Sequence, residues 1–197
     1  MKKTVVILAA GDFPRKGGDA WRILETAHVV VCCDSAADAF SRNFAREPDA
    51  VVGDCDSLKG KYRNIVRIAE QESNDLEKAV RYCKKMGWRN PILVGATGKR
   101  EDHTIGNIFR AMALGLEVVS DFGRFVPFCG RKSFRVNKGA AISIFANDPA
   151  TRMTSKGLEW PLDDVEFKNL YCATLNRAVG ARVVIESDRP ACVYFAR

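Results

Sequence analysis

The sequence predicts an α/β domain with a mainly parallel sheet flanked by helices in residues 1–122, followed by a smaller all-β sandwich in residues 123–197. Two patterns carry this prediction. Short apolar runs alternate with helical patterns in the first part, and strand-type runs without helices fill the second. With 197 residues, of which 47% are apolar or aromatic, the chain is large enough to bury a sizeable core.

Ten segments define the first part. Six apolar, β-branched runs predict strands at residues 4–9, 28–33, 50–52, 65–68, 92–94 and 117–120. Four segments with helical periodicity predict helices at residues 19–26, 35–44, 74–86 and 104–114. The strand runs are apolar throughout rather than alternating, which is typical of a parallel sheet covered by helices on both faces.

The sequence of the second part predicts an antiparallel β-domain. Its strand-type runs are residues 124–128, 133–136, 140–145, 182–186 and 192–195. Gly139, Gly157, Pro161 and Gly180 lie between these runs as turn residues. A domain of about 75 residues buries little surface by itself, so we expect it to pack on the first domain or on a second subunit.

The composition indicates a cytoplasmic protein without a membrane segment. No apolar run approaches the roughly 20 residues needed to cross a bilayer. The apolar stretch at residues 4–10 is interrupted by Gly11 and Asp12, and it is better interpreted as a buried strand than as a secretory signal. The seven cysteines are scattered without a CxxC pair, which is typical of free thiols in a reducing compartment.

The net charge of +7 predicts anionic partners, because a positive field raises the local concentration of anions. The basic residues are dispersed, and no RNA-binding signature with interleaved aromatic residues is present. The charge by itself does not distinguish nucleotides, nucleic acid and acidic surfaces as partners, but the dispersed basic residues argue against nucleic acid.

Polar residues that directly follow the predicted strands are the candidates for chemistry, because ligands of parallel sheets bind beyond the carboxyl ends of the strands. Asp34 follows the second strand, and Asp54 and Asp56 follow the third. A loop from Gly95 to Gly98 follows the fifth, and its glycines allow backbone amides to approach a ligand. Asp34 is equally well explained as a helix cap.

The Asp54-Cys55-Asp56 segment predicts a magnesium site. Two carboxylates two residues apart in a tight loop repel each other, and a hard cation with oxygen ligands relieves that repulsion. Mg²⁺ typically takes one or two carboxylates together with waters and substrate phosphates, so the loop suits a phosphate-bridging metal. Cys55 is expected to be a small packing residue between the two acids.

The start of the third helix offers a second set of charges. Asp75 and Lys78 are three residues apart and share a face at the helix N-terminus, where phosphates bind favourably. A helix-start carboxylate and a solvated lysine explain the same pattern equally well. Beyond the fifth strand, Arg100 can bind phosphate oxygens with two hydrogen bonds, and Asp102 and His103 open the next helix, where simple capping also accounts for them.

Four segments taken in order resemble the thiamin pyrophosphokinase family: Cys33-Asp34-Ser35-Ala36-Ala37, Gly53-Asp54-Cys55-Asp56-Ser57, Asn74-Asp75-Leu76-Glu77-Lys78-Ala79, and the segment from Gly95 through Lys99-Arg100-Glu101-Asp102-His103 to Asn107. The similarity continues through Gly157-Leu158-Glu159-Trp160-Pro161-Leu162 and, more weakly, Thr174-Leu175-Asn176-Arg177. It thus spans nearly the whole chain.

The resemblance implies an enzyme that transfers the terminal diphosphate of ATP to the hydroxyl of thiamin, releasing thiamin diphosphate and AMP. It implies an N-terminal catalytic domain, a C-terminal sandwich that helps to hold thiamin, and a homodimer with active sites at the subunit interface. Mg²⁺ would be the cofactor and ATP the co-substrate.

The family also implies roles for residues at matching positions. The metal and catalytic carboxylates would be Asp54, Asp56 and Asp75. Beside this resemblance, our own hypothesis is that Lys78 and Arg100 neutralise the charge that builds up during transfer. The ATP-binding set would be Asp34, Gly95, Gly98, Arg100, Asp102, His103 and Asn107. The thiamin-binding set would be Thr174 and Asn176.

Two departures from the family pattern affect these expectations. Lys99 follows Gly98 where the family commonly has a second glycine, which restricts backbone approach to phosphate or replaces it with a side-chain contact. Leu175 and Arg177 stand where the family usually has serine and glutamate, and a positive Arg177 is unfavourable beside the cationic thiazolium of thiamin. Trp160 is expected to pack in the core or in an interface.

Two other classes of protein fit parts of the pattern. A D-x-D loop after a strand also occurs in aspartyl-phosphate phosphatases and in sugar-nucleotide transferases, which are metal-dependent enzymes. A basic, non-enzymatic RNA-binding module built on the β-domain is the alternative from a different class.

Overall fold

The computed structural model describes residues 3–197 and divides into two compact units. The first contains the chain up to Asn107 together with Val118–Asp121, and the second contains Ile108–Glu117 together with Phe122–Arg197. The predicted fold class is confirmed, because an α/β arrangement is followed by a β-rich one. Part of the helix at Glu101–Leu114 is counted with the second unit, whereas the sequence assigned it entirely to the first.

All six predicted strands and four predicted helices of the first part are present. The strands are β1 (Val5–Leu8), β2 (Val29–Cys33), β3 (Ala50–Gly53), β4 (Ile65–Arg67), β5 (Ile92–Val94) and β6 (Glu117–Ser120). The helices are α1 (Asp19–Thr26), α2 (Ala36–Phe44), α3 (Asp75–Lys85) and α4 (Glu101–Leu114). α4 begins three residues before the predicted start at 104.

The first six strands follow the order β6-β5-β1-β2-β3-β4. β1 pairs in parallel with β2 and β5, and β3 pairs in parallel with β2 and β4. β1, β2 and β3 are buried along their whole length, as their continuous apolar sequences predict. Leu24 of α1 and Phe40 of α2 pack into the same core cluster as Val6 and Val30.

The chain reverses its direction of progression across the sheet between β1 and β5, which makes the crevice between their loops a preferred ligand site. Two backbone hydrogen bonds join the loops: the amide of Gly11 donates to the carbonyl of Gly95 at 2.8 Å, and the amide of Asp12 donates to that of Thr97 at 2.8 Å. A Cβ on Gly11 would lie 2.4 Å from the Thr97 carbonyl oxygen, so only glycine fits there.

The second unit is an antiparallel β-structure. Its strands are β7 (Gly123–Arg135), β8 (Ala141–Ala146), β9 (Arg152–Lys156), β10 (Val165–Glu166), β11 (Ala173–Arg177) and β12 (Arg182–Ala196). β12 pairs antiparallel with β7, β8 and β9, and β11 pairs with β8. Ile142, Ile144, Phe167, Val183 and Ile185 are among the buried residues of its core.

The sequence divided the two long strands of this unit incorrectly. The separate runs predicted at 124–128 and 133–136 form the single strand β7, and those at 182–186 and 192–195 form β12. β12 stays continuous because a register shift between Ser187 and Ala191 accommodates the irregular segment. β9, β10 and β11 were not predicted.

All seven cysteines are free thiols, as the scattered spacing indicated, and only Cys129 and Cys172 are exposed. Between Lys3 and Arg197, no helix is long and apolar enough to cross a membrane.

Candidate functional site

Asp34 and Asp75 come together beside Gly53, the last residue of β3. A Cβ on Gly53 would lie 3.2 Å from Cγ of Asp75 and 3.4 Å from Cβ of Asp34, so both acidic side chains flank this glycine. Oδ2 of Asp34 accepts a hydrogen bond from the Ser57 hydroxyl at 2.5 Å. Oδ1 of Asp34 is buried and has no hydrogen-bond partner among residues 3–197. Such an orphaned carboxylate oxygen is free to bind a cation or a hydroxyl group.

The loop after β3 carries Asp54 and Asp56. Oδ1 of Asp54 accepts a hydrogen bond from the backbone amide of Asp56 at 3.3 Å, and Asp56 itself is exposed. Between them Cys55 is buried and adopts a left-handed backbone conformation with φ of 61°. Burial and the carboxylate of Asp34 raise the pKa of the Cys55 thiol, so it is a protonated packing residue.

A capping box fixes the start of α3, which carries Asp75. The side chain of Asn74 accepts from the Glu77 amide at 3.0 Å, and the Glu77 side chain accepts from the Asn74 amide at 3.2 Å. Because the capping is done by Asn74 and Glu77, Asp75 is not needed as the cap. Its carboxylate is left to face Gly53 and the loop after β3.

Lys78 is almost completely buried, with only 2% of its side chain exposed. Its Nζ lies 3.4 Å from Oδ1 of Asp75. The alternative of a solvated lysine is therefore wrong. A buried ammonium is costly unless it meets negative charge, and the carboxylate of Asp75 supplies that charge to Lys78.

The pKa of Asp75 is raised above its ordinary value. Burial is the largest cause, the ammonium of Lys78 opposes it, and the carboxylates of Asp54 and Asp34 raise the pKa further. Three acidic side chains are thus close enough to repel one another electrostatically. A cation would relieve this repulsion.

Glu70 holds the segment that leads into α3. Its carboxylate accepts hydrogen bonds from the hydroxyl and the amide of Ser73 and from Arg81, the amide at 3.0 Å. These bonds lower the pKa of Glu70 from 4.5 to about 2, with the Ser73 hydroxyl as the largest cause. The network anchors the turn immediately before Asn74 and Asp75.

We expect Glu70→Gln to lower the melting temperature in a pH-dependent way. A carboxyl group whose pKa is lower in the folded state stabilises that state above its unfolded pKa and loses this contribution as the pH falls through its folded pKa. The difference in melting temperature between parent and variant should therefore be complete above about pH 4.5 and vanish near pH 2. A difference independent of pH would contradict this role; exposed Glu72→Gln is the matched control.

Three features of the glycine loop after β5 were not predicted from the sequence. Lys99 adopts the left-handed conformation, with φ of 57°, that the family's usual glycine would adopt without strain. Its Nζ donates to the carbonyl of Ala10 at 2.8 Å, so the lysine ties this loop to the one after β1. A Cβ on Gly98 would lie 2.0 Å from Oδ2 of Asp12, which places another carboxylate beside the loop.

Asp12 could have been found from the sequence, since it follows β1 at the edge where the other acids were sought.

Arg100 and Asp102 form a bidentate pair, with Nε–Oδ1 and Nη2–Oδ2 distances of 3.1 and 2.6 Å. This pair lowers the pKa of Asp102 to about 2. The exposed Asp102 carboxylate also accepts from the His103 amide at 2.9 Å. The side chain of Asn107 on α4 donates to the Ala96 carbonyl at 3.0 Å and so joins this loop to the helix.

In the second unit, the side chain of Asn176 is bonded to main-chain atoms. It accepts from the Trp160 amide at 3.2 Å and from the Arg177 amide at 2.8 Å, and it donates to the Trp160 carbonyl at 2.7 Å. Asn176 is buried and holds the Trp160 segment in place, while Thr174 is half-buried. The Trp160 residue is 56% exposed, so it does not belong to the core of this unit.

Over residues 3–197, no group of three or more His, Cys, Asp or Glu side chains is arranged to hold a metal ion by itself. The acids around Gly53 nevertheless fit Mg²⁺, because this ion usually takes one or two protein carboxylates and fills its other positions with water and substrate phosphates. The orphaned oxygen of Asp34 and the raised pKa of Asp75 are the observations that support this fit.

Comparisons with known proteins agree over most of the chain. The family model described as the thiamin pyrophosphokinase catalytic domain matches residues 20–118, and the one described as the thiamin pyrophosphokinase substrate-binding domain matches residues 123–194. Thiamine pyrophosphokinase 1 of Arabidopsis thaliana is 23% identical over 203 residues, which cover 83% of this chain and 76% of that protein.

Solved structures show the same fold. Thiamin pyrophosphokinase from Candida albicans superposes with a TM-score of 0.77 at 15% identity, covering 98% of this chain and 89% of that one. Thiamin pyrophosphokinase from Geobacillus thermodenitrificans gives a TM-score of 0.77 at 18% identity, covering 98% and 97%.

Proposed function

The chain belongs to the thiamin pyrophosphokinase family, and from this premise we propose that the acids around Gly53, together with Lys78, form its catalytic centre. As a member of this family it is an enzyme that transfers diphosphate from ATP to the hydroxyl of thiamin, giving thiamin diphosphate and AMP. The observation that carries the proposal is the meeting of Asp34, Asp75 and the buried Lys78 at the end of β3.

Asp54, Asp56 and Asp75 would hold Mg²⁺. When bound, the ion supplies positive charge that draws the ATP phosphates towards these acids and neutralises the charge on their oxygens. Asp34, with its free Oδ1, is the neighbour of this set on the nucleotide side. Binding of this kind explains why the chain tolerates several carboxylates at one edge of the sheet.

The reaction joins the thiamin hydroxyl oxygen to the β-phosphorus of ATP. The bond between that phosphorus and the oxygen bridging to the α-phosphate breaks, and AMP leaves with the electron pair. The hydroxyl proton passes to a nearby carboxylate. Such a transfer depends mainly on alignment and electrostatics, and Lys78 and Arg100 supply the positive charge from the protein.

The side chains of Arg100 and Asp102 form an ion pair. Arg100 can therefore bind the phosphates only if this pair breaks or if its guanidinium contacts Asp102 and the phosphates at the same time. The loop from Gly95 to Gly98 would lie along the phosphates, with Asp102, His103 and Asn107 at the nucleotide. Lys99 and its bond to Ala10 fix the conformation of this loop. Apart from Asp34, the proposed ATP-binding residues would therefore all lie on this loop and at the start of α4.

We also propose that the second unit helps to bind thiamin through Thr174 and through the segment that Asn176 holds. Arg177 is exposed, so solvent can screen its charge from the cationic thiazolium. A homodimer with active sites at the subunit interface is supported by the exposed apolar side chains of this unit: Trp160, Tyr171, Leu175 and Val179. A cytoplasmic location is consistent with seven free thiols.

One assay tests the proposed function. The purified protein is incubated with ATP, Mg²⁺ and thiamin, and the products are separated by chromatography. We expect AMP and thiamin diphosphate in equal amounts, no AMP without thiamin, and loss of both products with excess EDTA. AMP formation that persists in EDTA would contradict the magnesium site.

The same assay separates the alternatives. An aspartyl-phosphate phosphatase would release inorganic phosphate without thiamin, and a sugar-nucleotide transferase would require a nucleotide sugar. A nucleic-acid-binding module would show steeply salt-dependent RNA binding and no product. The family matches support the diphosphate transfer and give no support to these alternatives.

A further inference from the structure

Asp38 lies on the first turn of α2, four residues after Asp34, and none of the catalytic motifs includes it. Its Oδ1 accepts hydrogen bonds from the Gly60 amide at 2.9 Å and from the Tyr62 hydroxyl at 2.7 Å. Its Oδ2 accepts from the Lys59 amide at 3.0 Å. A single carboxylate therefore binds three donors on the segment that follows Asp54 and Asp56.

These contacts are close and specific. A Cβ on Gly60 would lie 2.8 Å from Oδ1 of Asp38 and 2.6 Å from the Tyr62 hydroxyl. A larger residue would therefore push the backbone away from the carboxylate. Hydrogen bonds to an ionised acceptor are stronger than those between neutral groups. Burial and the bond to Asp38 raise the pKa of Tyr62 to about 12, so its hydroxyl stays protonated and can donate to the carboxylate.

The loop is thus attached to the β2–α2 segment at two points. Upstream, the Ser57 hydroxyl donates to Asp34, and downstream the residues from Lys59 to Tyr62 bind Asp38. Asp54 and Asp56 lie between Gly53, the end of β3, and these attachments, and the Asp54 carboxylate accepts from the Asp56 amide at 3.3 Å. Fixing the loop at both points limits where the two acids can move.

We propose that Asp38 is a positioning residue, which holds the loop of Asp54 and Asp56 against α2 so that these acids meet the ATP phosphates in a productive geometry. This inference rests on the proposed function, because it assigns Asp38 to the same site. Groups that orient metal-binding carboxylates typically contribute 10- to 100-fold to affinity or activity. Asp38 does not touch the reacting atoms.

The variants Asp38→Ala, Asp38→Asn and Tyr62→Phe test this role. Asp38→Ala removes the acceptor of all three hydrogen bonds. Asp38→Asn keeps one acceptor oxygen but places its NH₂ group opposite a backbone N–H, where both groups are donors. Tyr62→Phe removes one of the three hydrogen bonds. We expect kcat for AMP formation to fall about 10- to 100-fold in Asp38→Ala and less in the other two, with the Mg²⁺ requirement shifted upwards. The KM for thiamin should stay within about threefold of the parent value.

Asp49→Ala is the matched control. Asp49 accepts from the Val30 amide at 2.8 Å, so it also joins β2 and β3 through a carboxylate, but at the end of β3 away from Asp54. We expect this variant to keep kcat within about twofold of the parent value, even where its melting temperature falls.

Amide hydrogen exchange measured by NMR gives a readout that does not need activity. The amides of Lys59 and Gly60 should exchange faster in Asp38→Ala, and that of Val30 should not; Asp49→Ala should show the reverse. Unchanged exchange at Lys59 and Gly60, or parent-like kcat in Asp38→Ala, would overturn the inference. A parent protein that forms no AMP would overturn the proposed function and, with it, this role.

Discussion

Asp54→Asn is expected to lower the rate of AMP formation by about a thousandfold or more, which corresponds to about 4 kcal/mol of lost transition-state stabilisation. The substitution keeps the size of the side chain and an oxygen that can accept from the Asp56 amide, but it removes the negative charge. Without that charge the site attracts Mg²⁺ and its phosphates less strongly. The turnover number should be measured by AMP release at saturating ATP and thiamin.

The fold should survive this change, because Asp54 is partly exposed and makes no buried ion pair within the described part of the chain. The melting temperature of Asp54→Asn is therefore expected within about 2 °C of the parent value, since exposed substitutions usually change stability by less than 0.5 kcal/mol. Asp163→Asn, an exposed acid of the second unit, is the control and should keep full activity. Parent-like turnover in Asp54→Asn would disprove the metal assignment.

The second large effect is expected for Lys78→Met. Methionine fills the space of the buried lysine stem without its charge, so kcat/KM should fall about 100- to 1000-fold while the helix and its packing remain. Lys78 also lowers the pKa of Asp75. Its removal should therefore raise that pKa further and move the acid limb of the pH–rate profile to higher pH.

Lys84→Met provides the comparison on the same helix, because Lys84 is exposed in the last turn of α3. It removes one positive charge of the same type, and we expect activity and the pH–rate profile to stay at parent values. If the two variants lost activity equally, the effect would come from net charge and not from the buried position of Lys78.

The first unit could be predicted from sequence because its local signals agree with its tertiary structure. Continuous apolar strands and amphipathic helices alternate, and each of the ten elements was found with errors of a few residues. The second unit was harder to predict. β9 has a polar sequence in which only Met153 is buried, and β11 contains Leu175 in a left-handed conformation and 84% exposed, so neither shows a regular alternation.

Site residues were predicted where the local sequence identifies them and missed where their role depends on tertiary contacts. The acids after the strands were identified from their positions at one edge of the sheet, a property that local sequence shows directly. The burial of Lys78, the orphaned oxygen of Asp34 and the contacts of Asp38 depend on segments 20 or more residues apart or on packing, which local spacing does not encode. Asn176 was assigned to thiamin from the family pattern, but its amide binds the main chain of Trp160.

The long strand β12 has a consequence for synthesis of the chain. It follows β7, β8 and β9 in sequence and pairs with all three, so these strands leave the ribosome before the partner that joins them. The first unit, whose strands β1 to β5 lie within residues 5–94, has nearly all of its sequence available by then. Until β12 arrives, open strand edges of the second unit stay exposed to other nascent chains, and aggregation during expression should begin there.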